Sequence, residues 1–215
     1  MSQITIGPDE HAFVPGMTGS GKSWLAEIYL AGFENSVVKL DTKGEVYERR
    51  KKKQPIWRGL IEGKDFVVVE YLKDLPDVET PKIIYAPHFT EQSLEHYDAL
   101  MKWVYERENT TLWIDELMEV APNPHKYPPY LKAIYTRGRS KNVSIWALAQ
   151  RTLDIPGIVL SQTTHFFVFN LNQPQDRKKI ADSTGILEFY EQPGKHYFWY
   201  FKLGEMNATR GILKV

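Results

Sequence analysis

Eight consecutive residues, Gly16-Met17-Thr18-Gly19-Ser20-Gly21-Lys22-Ser23, combine three glycines with a lysine and a hydroxyl at the spacing of a phosphate-binding loop. The glycines let the backbone curl until successive N–H groups face an anion. Lys22 can then reach the β- and γ-phosphates of ATP, and the Ser23 hydroxyl can ligate Mg²⁺. Such a loop needs a second strand that carries a carboxylate for the metal. Thr111-Leu-Trp-Ile-Asp-Glu116 supplies an apolar strand ending in two acids: Asp115 to bind Mg²⁺ and Glu116 to polarise the water that attacks the γ-phosphate. Adjacent carboxylates of this kind mark the P-loop enzymes that use a catalytic glutamate, most of which are oligomeric motors. GTPases typically lack the glutamate, and no Asn-Lys-x-Asp stretch is present to read guanine.

Other residues carry charge without so clear a role. Arg49-Arg50-Lys51-Lys52-Lys53 is a run of five positive charges. At the channel of a ring it would hold DNA phosphates without reading sequence; otherwise it is a solvated loop. The six histidines are scattered, with no pair at metal-ligand spacing beside a carboxylate on one helix, which argues against a zinc site. Tyr197 to Phe201 is strongly aromatic and reads as a packed strand or, alternatively, as a base-stacking platform.

The elements that must position these groups are legible in outline. A strand over 11–14 runs into the loop, and apolar spacing at Leu25, Ile28 and Tyr29 predicts a helix from Ser23 closed by Gly32. Strands are expected over 36–40, 66–70, 82–86, 111–114, 143–149 and 165–170. Helices are expected from an N-cap at Thr90 to about Arg107, from Tyr130 to about Ser140, and from Asp176 to Ser183. The segment 45–64 is charged, and Pro122, Pro124, Pro128 and Pro129 make the stretch before Tyr130 a loop. Residues 196–203 and 208–215 alternate well enough to form a β-hairpin or two short strands. Strands alternating with helices imply an α/β fold: a mainly parallel central sheet with helices on both faces and a short C-terminal β extension at one edge. We expect one ATPase domain over 1–215, with its core at about 8–185 and the extension at about 186–215.

Composition excludes several classes. With no cysteine among 215 residues there is no disulfide framework, thiol nucleophile or cysteine zinc site. No apolar run of about 18 residues is long enough to span a membrane, and no signal peptide is evident. Lysine plus arginine equals aspartate plus glutamate at 27 each, so any nucleic-acid contact must come from local patches.

Four segments, GMTGSGKS, VVKLDTKGE, TLWIDE and TRGRSKNVSIWALAQ, together resemble the FtsK–HerA superfamily of DNA-pumping ATPases. Within it, the chain is most similar to the small genome-packaging ATPases of tectivirus-like viruses, over about residues 11–170. The resemblance implies a RecA-like fold of the additional-strand, catalytic-glutamate type. In that fold Gln150 ends a strand lying between the two nucleotide-binding strands, where its amide could sense the γ-phosphate or orient the attacking water. Arg137 and Arg139, near a helix end, would act on a neighbour's nucleotide as arginine fingers, Arg139 being the weaker choice; otherwise they are a basic helix C-terminus favoured by the dipole. Asp41 would order the edge of the site, and Lys43 would approach nucleotide or DNA; otherwise the segment is an ordinary turn at a strand end.

The implied activity is ATP-driven translocation of double-stranded DNA into a preformed viral capsid. It would be carried out by a homo-oligomeric ring, a pentamer or hexamer, docked on a portal or vertex protein. Its place would be the cytoplasm of the infected host cell or a packaging vertex of the virion. The alternatives are a HerA-type cellular or plasmid translocase and an ATP-dependent phage assembly or export factor.

Overall fold

The computed structural model describes residues 4–213. In chain order the elements are β1 (Ala12–Pro15), α1 (Lys22–Ala31), β2 (Ser36–Leu40), α2 (Glu45–Lys51), β3 (Val67–Val69) and β4 (Lys82–Tyr85). They continue with α3 (Leu94–Arg107), β5 (Thr110–Ile114), α4 (Leu117–Val120), α5 (Pro129–Arg137), β6 (Ser144–Ala149) and α6 (Gly157–Gln162). The last are β7 (His165–Val168), α7 (Pro174–Thr184), β8 (Tyr197–Lys202) and β9 (Thr209–Ile212). All nine strands join one sheet in the order β3-β4-β2-β5-β6-β1-β7-β8-β9. Every pairing from β3 to β7 is parallel, and β7–β8 and β8–β9 are antiparallel.

The central strands read as near-continuous apolar runs because both faces of a parallel sheet are covered. Every residue of β5 and β6 is buried, and alternate side chains go to opposite cores. Leu112, Ile114, Ile145 and Ala147 face the side packed by α3, α5, α6 and α7. Trp113, Trp146 and Leu148 face the side packed by α1 and α2. The antiparallel extension seals one edge with aromatics. Phe198 meets Phe167 at 5.7 Å and Phe201 meets Phe166 at 5.9 Å between ring centroids. Tyr197 to Phe201 is therefore a packed strand.

Several local expectations are corrected. Ser93, not Thr90, caps α3, its Oγ accepting from the His96 N–H at 3.4 Å; Thr90 lies in a separate 3-10 turn over Phe89–Glu91. The charged stretch after β2 opens with the helix α2. Asp41 caps it, accepting from the N–H groups of Glu45 at 3.0 Å and Val46 at 2.8 Å. Two short helices, α4 and α6, were not expected, since four and six residues are too few to show helical periodicity beside their prolines. Gly138 follows α5 because nothing larger fits: a Cβ there would lie 2.4 Å from Val143 O and 2.5 Å from Ile134 O.

Candidate active site

The chemistry-bearing residues meet at the C-terminal ends of β1, β5 and β6, where an open parallel sheet leaves a crevice for ligands. The loop between β1 and α1 is anchored on both sides: Gly16 N donates to Ala149 O at 3.0 Å and Met17 N to Asn170 O at 2.8 Å. A Cβ on Gly16 would come within 2.5 Å of Phe169 Cβ, and Gly21 adopts φ +107 as the helix starts. Lys22 is curled back over the loop, donating to Gly16 O at 2.7 Å and Met17 O at 3.0 Å. Burial lowers its pKa to about 8, although Glu116 and Asp115 oppose that shift.

Ser23 Oγ donates to Asp115 Oδ1 at 3.2 Å, which brings together the two groups expected at a metal. Burial drives the Asp115 carboxyl upward, with buried Lys39 opposing it. Lys39 lies under the site, 3.3 Å from Glu45 Oε2 and 4.4 Å from the centre of the Trp113 ring. Burial works against the charge of Lys39, but Asp115, Glu45, Asp41 and Glu27 outweigh it, so its pKa is raised. A hydroxyl beside a buried carboxylate fits Mg²⁺. Among the described residues no group of three or more His, Asp or Glu side chains could hold an ion unaided. An ion held there by Ser23 and Asp115 would take its remaining ligands from phosphate oxygens and water, as Mg²⁺ prefers.

Glu116 is almost fully enclosed and held by two donors on one oxygen: Lys43 Nζ at 2.7 Å and Gln150 Nε2 at 2.8 Å from Oε2. Gln150 Oε1 in turn accepts from Thr18 Oγ1 at 2.9 Å. Gln150, at the end of β6, thus ties the loop to the acidic strand end, because β6 lies between β1 and β5. Clefts open on either side of the loop. One, of about 240 Å³, is lined by Thr18, Gln150 and Arg151; the other, of about 280 Å³, by Lys22, Ser23, Trp24 and Arg58.

Arg137 and Arg139 do not join this cluster. They precede β6 and Gln150 follows it, so the six-residue strand separates them, a span of roughly 20 Å at about 3.3 Å per residue. Arg137 is exposed, and Arg139 Nε donates to Asp9 Oδ2 at 3.0 Å.

The basic run is corrected in part. Arg49 turns inward, 2.6 Å from Glu27 Oε1 and 2.8 Å from Glu45 Oε1, and is not available to DNA. Arg50 pairs with Glu62, and Lys51 with Glu48 at 3.0 Å. Lys52 and Lys53 are exposed and form no ion pair among the described residues. The last turn of α2 points Arg49, Arg50 and Lys51 to different faces, and Arg49, four residues after Glu45, falls on the buried one; Lys52 and Lys53 follow the helix.

Lys39, Trp24 and Arg58 were missed by reasoning from sequence. A lysine inside an apolar strand was the available signal for Lys39, since such a residue is rarely buried without partners.

No protein-family model matches the chain, and no curated protein does. Solved structures do. The genome packaging NTPase B204 from Sulfolobus turreted icosahedral virus 2, in complex with ATP-γ-S, superposes with a TM-score of 0.75 at 17% identity, over 98% of this chain and 100% of that one. The DNA-packaging ATPase B204 from Sulfolobus turreted icosahedral virus gives 0.70 at 18% identity, over 95% and 98%. VirB4 of Thermoanaerobacter pseudethanolicus gives 0.66 at 13% identity, over 98% and 92%. At these identities the likeness is one of fold, and it covers each chain nearly end to end. The chain has the fold of these P-loop ATPases, with β6 lying between β5 and β1.

Proposed function

We propose that this chain hydrolyses ATP and, as one protomer of a homo-oligomeric ring, drives double-stranded DNA into a viral capsid. The observation that carries the reading is the convergence of Lys22, Ser23, Asp115, Glu116 and Gln150 around one loop. Lys22 exchanges its two carbonyl partners for phosphate oxygens. Ser23 and Asp115 would hold Mg²⁺, which neutralises phosphate charge when bound. Glu116 accepts a proton as the water oxygen bonds to the γ-phosphorus and the bond to the β-phosphate oxygen breaks, leaving ADP and inorganic phosphate. Gln150 and Thr18 border the γ-phosphate end and hold Glu116 in register.

The arginines support the ring reading. Arg137 is remote from its own site and exposed, which suits action on a neighbour's γ-phosphate. Lys52 and Lys53, with Arg50 and Lys51 once their surface pairs exchange, are the parts of the basic run that could follow a DNA backbone. Viral packaging is favoured over a cellular or plasmid translocase by the higher TM-scores with the viral packaging ATPases, 0.75 and 0.70 against 0.66 for VirB4. A portal or vertex protein would dock the ring in the infected cell. Among the described residues no helix is long and apolar enough to cross a membrane.

The test is ATP turnover with and without long duplex DNA, together with the mass of the assembly. Turnover stimulated by duplex DNA in an oligomer is the expected result. An assembled protein whose turnover ignores DNA, and which binds none, would favour the assembly or export reading.

A further inference from the structure

The γ-phosphate must lie beside Glu116 and Gln150, so the sugar and base must leave the loop on its other side. There the cleft of about 280 Å³ runs from Gly19, Gly21, Lys22 and Ser23 to Trp24, Arg58, His196 and Leu213. We infer that this cleft is the nucleoside site, and that the base stacks on a flat Arg58 guanidinium backed by the Trp24 indole, opposite a wall supplied by the C-terminal β extension. The inference rests on the reading that the loop binds a nucleotide.

Three features of the cleft carry it. First, the Arg58 guanidinium carbon stands 4.1 Å from the centre of the Trp24 ring, the distance of a cation–π stack. Trp24 directly follows the loop's Ser23, so the stack begins where the phosphates end. Second, the stack is held from beneath. Glu27, one helical turn after Trp24, is fully buried and pairs with both Arg58 Nη1 and Arg49 Nη2. Its backbone carbonyl also accepts from Trp57 Nε1 at 3.1 Å, which fixes the segment bearing Arg58 against α1. A planar cation fixed in this way offers its outer face to another π system at little entropic cost.

Third, the opposite wall reaches the site by topology. β8 and β9 extend the sheet on the side of β1 and β7. Leu213 N donates to His196 O at 2.9 Å, which joins the two residues that line the cleft. Leu213 packs so closely on the loop that a Cβ on Gly21 would lie 2.5 Å from its Cδ2. The extension thus both seals the sheet and closes the nucleoside cleft. Stacking recognises the face of an aromatic base, and the phosphates remain with the loop.

The two halves of the ligand can be separated by calorimetry on the full-length protein, using Mg²⁺ with either a non-hydrolysable ATP analogue or inorganic tripolyphosphate. R58A and R58K are expected to weaken the analogue on the order of tenfold while leaving tripolyphosphate within about twofold. R58K keeps the charge beside Glu27 and loses only the planar group, and unchanged tripolyphosphate binding reports an intact loop in each variant. Unchanged affinity for the analogue in both variants would place the base elsewhere and overturn the inference. Equal loss of both ligands would overturn it too, by assigning Arg58 to the phosphates or to the loop's fold. A wild-type protein that binds neither ligand would remove the nucleotide reading itself.

Discussion

Lys43 Nζ and Gln150 Nε2 share one acceptor, Glu116 Oε2, at 2.7 and 2.8 Å. The carboxylate assigned to activate water is therefore held by one charged and one neutral donor that approach from different strand ends. Replacing Glu116 with Gln is expected to leave nucleotide affinity within a few-fold and to reduce turnover by about 10²–10⁴-fold, the range of a lost general base. K43M keeps the carboxylate and removes only its ion-pair partner, so its loss should stay well below that of E116Q. Steady-state kinetics beside equilibrium binding decide this; an E116Q protein that still turns over would displace Glu116 from its role.

Gln150 joins Thr18 and Glu116 through the two ends of one amide. Truncation to Ala removes both contacts and leaves the loop's own anchors, Gly16 to Ala149 and Met17 to Asn170, in place. The expected result is a drop in kcat of about 10²-fold with little change in nucleotide affinity. Equal changes in kcat and affinity would instead make Gln150 a brace for the loop.

Arg137 and Glu116 should complement each other across subunits. R137A is expected to lose about 10³-fold or more in turnover. R139A should lose less, because Arg139 is already engaged by Asp9. Mixing R137A with E116Q protein places an intact Arg137 beside an intact Glu116 in some interfaces, so the mixture should recover turnover that neither variant shows alone. Absence of recovery in verified mixed oligomers would argue that the finger is not Arg137.

The pH dependence follows from Lys22. Burial lowers its pKa to about 8 in the ligand-free protein, below that of a free lysine. Below that pH the ammonium is already charged and binding a triphosphate takes up no proton. Above it, the charged form that the phosphates require must be made, so affinity should fall as pH rises through about 8 and proton uptake should appear. Calorimetry in buffers of different ionisation enthalpy measures both. K22M should bind weakly and lose the uptake; a flat affinity from pH 7 to 9 in the wild type would contradict the assignment.

Glu27 anchors stability as well as Arg58. It is fully buried against Arg49, itself only 8% exposed, so E27A would leave a guanidinium in the core with Glu45 as its one remaining carboxylate partner, beside the carbonyls of Pro55 and Ile56. Removing one partner of a buried pair costs about 3–5 kcal/mol. A fall of that size in unfolding free energy, read from the urea midpoint at constant slope, is expected. E27Q, which retains hydrogen-bonding capacity, should lose less.

The local motifs were legible because they are written in backbone requirements within a few residues. Glycines at 16, 19 and 21 admit the loop, and apolar strands deliver Asp115 and Gln150 to one end of the sheet. The mainly apolar β5 and β6 also declared a sheet covered on both faces, and alternation after residue 196 declared the antiparallel edge. The boundaries drawn at Thr90 and across 45–64 failed because several residues there could cap or remain solvated, and tertiary packing chose among them.

What remained for the tertiary structure is pairing between segments far apart in the chain. Nothing near Arg49 shows that Glu27 waits on α1 to draw it inward, and nothing near Lys43 shows that it reaches Glu116. Trp24 and Arg58 become a stack only when the segment after α2 folds back over α1. By itself the sequence determined a glycine-rich loop of the phosphate-binding type and two strand ends bearing Asp115-Glu116 and Gln150, since each depends on local conformation and alternation. Strand order and helix phase decided which charges are buried, which gather at the glycine-rich loop and which remain outside. The physical reason is that the Coulombic and desolvation energies selecting those partners depend on distances that exist only after the sheet has assembled.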